Sequence, residues 1–177
     1  AHFFIQNDHL PSLLKGESAI LDGEMIILNE EMRPSFQLSL IREQVSDPDR
    51  IRYYTKKYPV LYIVFDLLAI NGSLITDKPL HERSALLRQH LGTSQITSIT
   101  DDFSDGLTLF SLMKEKSWEG IVTKSSDSLY SPGKAHNDWF KTKLSRKILA
   151  VVAGLTLKQG NPRSLVLAIN GSEGITY

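Results

Sequence analysis

Residues 60–68, Val60-Leu61-Tyr62-Ile63-Val64-Phe65-Asp66-Leu67-Leu68, form the stretch that decides the fold. Aromatic and β-branched side chains are frequent in this run, and Asp66 is its one charged residue. The pair Asn71-Gly72, which is typical of a tight turn between strands, follows shortly after. The pattern therefore predicts a central strand that ends at a turn.

A second apolar stretch with a polar centre precedes this strand. Residues 19–28 are apolar at both ends, and Asp22-Gly23-Glu24 lies between those ends. This arrangement indicates two strand segments that meet at a tight bend or bulge near Gly23. We expect it to place Glu24 among buried neighbours.

Helices are predicted at three places, and a polar segment separates the first from the rest. Residues 34–43 have the pattern of a short helix, whereas residues 46–57 are polar, contain an Asp-Pro-Asp turn and are expected to be exposed. Leucines recur at helical spacing within residues 79–92, which predicts an amphipathic surface helix. Ser104 is expected to cap a further helix that ends near residue 116.

Two short strands are predicted in the following sequence. Residues 119–124 are mostly apolar, and residues 125–138 have the composition of turns. Residues 139–143, Trp-Phe-Lys-Thr-Lys, alternate in the manner of a strand, so Lys141 and Lys143 are expected on one face.

The sequence changes character near residue 148. Residues 149–157 and 163–169 have the pattern of two strands joined by a turn, and closely spaced short strands indicate a small barrel. Because helix-bearing sequence lies before residues 145–147 and strand-only sequence after them, we predict a domain boundary there.

Composition excludes several classes of protein. The 177 residues contain no cysteine, which rules out disulfides, zinc-cysteine sites and thiol nucleophiles, and which fits a reducing, cytoplasmic location. Twenty Lys and Arg balance twenty Asp and Glu, so the net charge does not indicate a partner. The sequence contains no Walker A, Gly-x-Gly-x-x-Gly or His-Glu-x-x-His motif, and its apolar runs are too short to predict a membrane span.

Four short segments hold charged residues within otherwise apolar, strand-forming sequence. They are Leu21-Asp22-Gly23-Glu24, Phe65-Asp66-Leu67-Leu68, Glu119-Gly120-Ile121-Val122-Thr123-Lys124 and Trp139-Phe140-Lys141-Thr142-Lys143. Each alone has a structural explanation, namely a hairpin turn, a core residue or the wet face of an edge strand. Together they favour a ligand, because a buried charge costs several kcal/mol unless it is paired or bound. A polyphosphate with a divalent metal ion meets that need.

In this order, the four segments resemble successive motifs of the covalent nucleotidyltransferase superfamily, which comprises ATP-dependent DNA ligases, RNA ligases and mRNA capping enzymes. The resemblance to bacterial and archaeal ATP-dependent DNA ligases is the strongest. It also includes Asn71-Gly72 and Tyr130-Ser131-Pro132-Gly133-Lys134, and it covers nearly the whole chain.

The resemblance implies a role for each matching residue. Glu24 would contact the ribose or orient the site, Phe65 would stack on adenine, and Glu119 would hold the catalytic Mg²⁺. Lys141 and Lys143 would bind the phosphates of ATP and act in catalysis. Lys124 is a weaker candidate for which a structural ion pair is the alternative.

The resemblance also implies an α+β fold with two parts. Residues 1–146 would be a partial adenylation domain of the nucleotidyltransferase (ATP-grasp-like) type, with antiparallel sheets flanked by helices. Residues 147–177 would be the first strands of an OB-fold β-barrel. The implied partners are ATP and nicked duplex DNA, with no membrane, and the protein is expected to be a monomer.

Two departures from the family pattern bear on activity. The family attacks ATP with the lysine of a Lys-x-Asp-Gly motif, and no such motif occurs here, since Lys15-Gly16-Glu17 does not match it. We expect that lysine to precede Ala1 in the complete protein, so this chain alone should form no lysyl-AMP. Ala135 stands where many relatives have arginine, which removes one phosphate contact.

Two other functions remain open at this stage. An RNA ligase or capping guanylyltransferase would share the pocket but use another acceptor. A non-catalytic module that binds nucleotide or DNA would lack the lysine altogether.

Overall fold

The computed structural model describes residues 9–133, 137–145, 149–171 and 174–176. Ala135 and the boundary residues Arg146 and Lys147 lie outside the described residues. The helices are α1 (Leu10–Leu13), α2 (Phe36–Gln44), α3 (Pro48–Lys57), α4 (Leu80–His90) and α5 (Gly106–Glu115). The strands are β1 (Ala19–Ile26), β2 (Leu61–Ile70), β3 (Ser73–Leu74), β4 (Thr97–Ile99), β5 (Gly120–Lys124), β6 (Trp139–Lys143), β7 (Val151–Lys158), β8 (Asn161–Gly171) and β9 (Gly174–Thr176).

The chain divides into two compact units, residues 1–143 and residues 144–177. The division lies next to the boundary predicted at residues 145–147. The assignment of the units to an adenylation domain and an OB domain stays a prediction. Among the described residues, no helix has both the length and the apolar character needed to cross a bilayer.

Strand β2 is the centre of the first unit, as the apolar run at residues 60–68 predicted. It pairs with β1 and β3 in antiparallel fashion and with β4 in parallel fashion. The core forms where buried residues of β2 meet residues of α4 and its flanks: Tyr62, Val64, Leu67, Ile75, Leu87 and Leu91. Burial of this apolar stripe fixes which face of β2 is turned away from the core.

A β-bulge occurs near Gly23, as predicted, but the inserted residue is in the partner strand. The β1–β2 register runs from Asp22 opposite Asp66 to Gly23 opposite Val64, so β2 inserts Phe65 between the two pairs. A bulge increases the local twist and changes the direction of the inserted side chain. The pairing of the strands therefore sets the direction of Phe65.

The polar segment at residues 46–57 is a helix rather than a turn, which corrects the prediction. Asp47 caps α3, since its Oδ1 accepts a hydrogen bond from the backbone nitrogen of Arg50 at 2.9 Å, and Pro48 occupies the first turn. Asp-Pro is thus the start of a helix here. The segment is mostly exposed, as predicted.

Helices α2, α4 and α5 agree with their predictions apart from one cap, whereas the short helix α1 was not predicted. Helix α2 follows Ser35, whose side chain accepts a hydrogen bond from Leu38, and α4 follows Pro79. Helix α5 is capped by Asp105, not by Ser104 as expected, because the Asp105 carboxylate accepts hydrogen bonds from the nitrogens of Leu107 and Thr108 at 3.0 Å.

The second unit is an antiparallel arrangement of β7, β8 and β9 in sequence order. Many of its apolar side chains are about half exposed, among them Val152, Leu155, Leu165 and Leu167. Three paired strands that leave both apolar faces partly open are compatible with the start of a barrel. The closed OB barrel stays a prediction, whereas the α+β class is confirmed.

Candidate functional site

One wall of the candidate site is the face of β2 that is turned away from the core. Ile63 and Phe65 are both half-buried and lie outside the core cluster, whereas their neighbours Tyr62 and Val64 belong to it. Glu24 is directly opposite Ile63 in the register, and directly opposed residues of two strands project from one side of a sheet. Glu24 and Phe65 therefore share this wall.

The second wall is one face of the β5–β6 hairpin. Lys124 is opposite Trp139, Val122 is opposite Lys141, and Gly120 is opposite Lys143. Because alternate residues share a face, this register places Lys124, Lys141 and Lys143 on one side of the hairpin. The expectation that the last two lysines face the same way is confirmed, and Lys124 is a third cation beside them.

The two walls meet at Lys124. Its ammonium nitrogen lies 4.4 Å from the ring centroid of Phe65 and 3.9 Å from that of Trp139. A desolvated cation over an aromatic face is stabilised by about 2 kcal/mol. Burial lowers the pKa of Lys124, although the nearby carboxylates of Asp66 and Asp22 act in the opposite direction. This contact joins the aromatic wall to the basic wall.

Glu119 joins the basic wall through an ion pair. Its Oε1 accepts a hydrogen bond from Lys143 Nζ at 2.6 Å, and both side chains are largely exposed. The hydrogen bond and the charge of Lys143 lower the pKa of Glu119, and the same contact raises the pKa of Lys143. Both groups are therefore charged at neutral pH.

A chain of hydrogen bonds and ring contacts supports Trp139. Its indole nitrogen donates to the Ser128 hydroxyl at 2.9 Å, and its ring meets that of Tyr130 edge-on with centroids 5.8 Å apart. The Tyr130 hydroxyl donates to Asp22 Oδ2 at 2.7 Å, a contact across 108 residues that raises the pKa of Tyr130 to about 12. The turn-rich segment between β5 and β6 is thereby tied to β1.

The charge of Asp66 has a structural partner, not a ligand. Arg83 of α4 donates from Nε and Nη2 to the two carboxylate oxygens, each at 2.8 Å, and both side chains are fully buried. Arg83 also donates to the carbonyl oxygen of Ser128, which links this pair to the support of Trp139. The inference that a bound ligand explains this buried charge was wrong for Asp66.

The predicted site residues differ in solvent exposure, which the sequence pattern did not indicate. Glu24, Glu119, Lys141 and Lys143 are exposed, so the expectation of Glu24 among buried neighbours and of buried charges in these segments was wrong. Each lies on the rim of the site, where solvated charge is inexpensive. Phe65 is half-buried, in keeping with a ring that forms part of a wall.

Two glycines in the motifs are required by close backbone approach. A Cβ on Gly23 would lie 2.6 Å from the carbonyl oxygen of Ile63, and one on Gly120 would collide with the backbone of Thr142. Gly120 also has φ +147°, which other residues rarely adopt. These glycines let β1 and β5 approach their partner strands beside Glu24 and Glu119.

A metal site made only of protein groups is not formed in the described part of the chain, where no cluster of three or more His, Cys, Asp or Glu residues occurs. Mg²⁺ commonly uses one or two carboxylates together with substrate phosphates. Glu119, an exposed carboxylate beside phosphate-binding candidates, fits that manner of binding.

Three residues of the site were missed or undervalued in the sequence. Lys124, Trp139 and Tyr130 form or support its inner wall, although only Lys124 was considered, as a weaker candidate with a structural ion pair as the alternative. Tyr130 and Trp139 are each the first residue of a motif segment, and this position was the one indication in the sequence that they belong to the site. Their contacts connect residues far apart in sequence, so spacing alone could not indicate them.

Comparison with known proteins identifies the family of the chain. The family model of the ATP-dependent DNA ligase domain matches residues 5–143. The chain is 32% identical over 128 residues to the SPbeta prophage-derived DNA ligase-like protein LigB of Bacillus subtilis, covering 71% of this chain and 44% of that protein. It is 31% identical over 183 aligned positions to a probable DNA ligase of Streptomyces avermitilis, covering 94% of this chain and 35% of that protein.

A solved structure shows the same fold. Mycobacterial DNA ligase D complexed with ATP and MES superposes with a TM-score of 0.59 at 26% identity, covering 89% of this chain and 48% of that one. The chain spans less than half the length of each of these three proteins. From the family match over most of its length, together with the shared fold, we conclude that this chain belongs to the family of ATP-dependent DNA ligase domains.

Proposed function

We propose that the protein containing this chain is an ATP-dependent DNA ligase and that the chain supplies most of its ATP pocket. One observation carries the proposal: Lys124 Nζ lies 4.4 Å from the Phe65 ring, which brings the aromatic wall and the three-lysine wall together. An aromatic plate beside several cations fits a ligand that has both a base and phosphates.

Each residue has a part in gripping the nucleotide. Phe65 stacks on adenine, a contact that contributes about 1–3 kcal/mol for a base on an aromatic ring. Glu24, on the same wall, accepts hydrogen bonds from the ribose hydroxyls. Lys141 and Lys143 hold the phosphate oxygens as point charges, and Lys124 adds a third positive charge at the inner end.

Glu119 is the residue that would hold Mg²⁺. The ion, when bound, neutralises charge on the phosphates as pyrophosphate departs. Glu119 is already ionised because of Lys143, so metal binding does not require it to lose a proton. Lys143 then exchanges its contact with Glu119 for a phosphate oxygen.

The proposed reaction has three phosphoryl transfers. A lysine nitrogen forms a bond to the α-phosphorus of ATP as the bond to pyrophosphate breaks, and the lysine loses a proton. The AMP then moves to the 5′-phosphate of a nick, which breaks the P–N bond and forms a P–O–P link. Finally the 3′-hydroxyl attacks the 5′-phosphorus, gives up its proton and releases AMP, leaving a phosphodiester.

The three pocket lysines serve charge stabilisation in these steps, not nucleophilic attack. The sequence contains no Lys-x-Asp-Gly motif, so the nucleophile is proposed to come from another part of the complete protein. We therefore expect this chain to remain unlabelled when it is incubated with labelled ATP and magnesium. Nick sealing in DNA repair or replication, a cytoplasmic location and a monomeric state complete the proposal.

Nucleotide binding by the chain tests the pocket. In calorimetric titrations with ATP, Phe65→Leu should weaken binding by about tenfold, because most of one base stack is lost. Phe36→Leu is the matched control, since Phe36 is 72% exposed on α2 and lies outside the pocket walls. Equal affinities of the two variants would show that adenine does not use the Phe65 ring.

Nick sealing by the complete protein tests the reaction. Two otherwise identical nicked duplexes, one of DNA and one of RNA, are supplied with ATP and magnesium. Sealing of the DNA nick, with loss of sealing in Lys141→Ala, supports the proposal. Sealing confined to RNA would establish the RNA-ligase alternative, and nucleotide binding without sealing of either would indicate a non-catalytic module.

A further inference from the structure

Helix α3 carries a net positive charge, although the positive and negative charges of the whole chain balance. Four of the twenty Lys and Arg residues lie within its ten positions, and Asp49 is its one acidic residue. Four cations minus one acid leaves +3 on the helix, whereas the whole chain has a net charge of zero. The cations are Arg50, Arg52, Lys56 and Lys57, and all four are exposed.

The rest of the helix is anchored, which fixes the direction of these cations. Ile51 is buried at 5% exposure, and Thr55 and Tyr58 continue the inner stripe at helical spacing. The buried guanidinium of Arg42 in α2 donates to the carbonyl oxygen of Tyr58 at 2.6 Å and so holds the end of α3. The outer face is therefore a firmly held basic surface.

Tyrosine rings lie between the basic side chains. Lys57 Nζ is 5.6 Å from the Tyr53 ring and 5.2 Å from the Tyr58 ring, and the Arg50 guanidinium is 5.9 Å from the Tyr54 ring. These contacts restrict the rotamers of two of the cations before any partner binds. Arg52 and Lys56 project beside them, and the ion pair of Arg52 with Asp49, at 3.3 Å, is exposed and weak.

We propose that this outer face of α3 docks on the sugar-phosphate backbone of duplex DNA. A row of exposed cations on one rigid helix is complementary to a polyanion, and contact with phosphates needs no base sequence. A non-specific contact suits an enzyme that must act at nicks in any sequence. The inference rests on the proposed ligase function and adds the surface that holds the DNA.

The position of α3 along the chain suits such a contact. Phe65 lies eight positions after Lys57 along the chain, a span of at most about 28 Å for an extended chain. At 3.4 Å per base pair, that length corresponds to about eight base pairs of duplex. The helix therefore lies within reach of a duplex that is bound at the pocket.

Salt dependence of DNA binding tests the inference directly. Binding of the chain to a fluorescent nicked duplex is measured by anisotropy over a range of salt concentrations. Each phosphate contact contributes about 0.9 to the slope of log K against log salt, so Arg52→Gln/Lys56→Gln should reduce the slope by about 2. These two positions leave the tyrosine contacts intact, and circular dichroism checks that the fold is unchanged.

The matched control is Lys114→Gln/Lys116→Gln, which removes two exposed lysines from the end of α5. Its slope should equal that of the unaltered chain. An unchanged slope in the α3 variant, an equal loss in the control, or no salt-dependent binding by the unaltered chain would each overturn the inference. The ligase proposal is tested separately, by ATP affinity and by nick sealing. The α3 variant should bind ATP as well as the unaltered chain does, so a change in its salt dependence concerns the α3 surface alone.

Discussion

Replacing Arg83 by methionine removes the buried guanidinium that neutralises Asp66. Both side chains are fully buried and joined by two hydrogen bonds of 2.8 Å. Loss of one partner of a buried ion pair destabilises a protein by about 3–5 kcal/mol, because the other charge stays desolvated. The carbonyl oxygen of Ser128 also loses a donor. We expect a total loss of about 4 kcal/mol, within the range for breaking a buried ion pair.

Urea unfolding followed by tryptophan fluorescence measures this loss. The chain has two tryptophans, Trp118 and Trp139, and both lie in the first unit, so the signal reports that unit alone. With a slope of about 2 kcal/mol per molar urea, a loss of 4 kcal/mol lowers the midpoint by about 2 M. Restricting the signal to one unit also avoids treating a two-unit chain as a two-state system.

Arg88→Met is the matched control on the same helix. Arg88 pairs with Asp102 at the same 2.8 Å, but the two side chains are 43% and 72% exposed. Exposed pairs contribute about 1 kcal/mol or less, so its midpoint should fall by no more than about 0.5 M. Equal midpoints for the two variants would refute the reasoning that burial, not distance, sets the value of the Asp66–Arg83 pair.

Two further changes address the site. Tyr130→Phe removes only the hydroxyl that donates to Asp22 at 2.7 Å, and we expect a loss of about 1.5 kcal/mol in the same urea assay; an unchanged midpoint would mean that the contact contributes nothing. Lys143→Met should raise the pKa of Glu119 toward its ordinary 4.5, as followed by carboxyl-carbon NMR. Because the pKa of Glu119 in the folded chain is the lower one, stabilisation by this ion pair is present at neutral pH and is lost as the pH falls through that value. A Glu119 titration identical in the two proteins would contradict this account.

The parts of the fold that depend on local pattern were predictable. The apolar run of β2 and the leucine spacing of α4 each identify an element whose buried face is set by its own residues. Alternation in β6 likewise placed Lys141 and Lys143 on one face, which the β5–β6 register confirms. Helix α3 was missed because Asp-Pro is compatible both with a turn and with a helix start, and the choice depends on Arg42 holding its far end.

By itself, the sequence determined the central strand, the helices α2, α4 and α5, the motif residues and the alternation within β6, because these depend on periodicity within one element. Only the tertiary structure decided which charges are buried and what they meet: Asp66 reaches Arg83, and Lys124 lies between Phe65 and Trp139. The physical reason is that desolvation and pairing depend on distances between segments far apart in the chain, which local pattern does not specify.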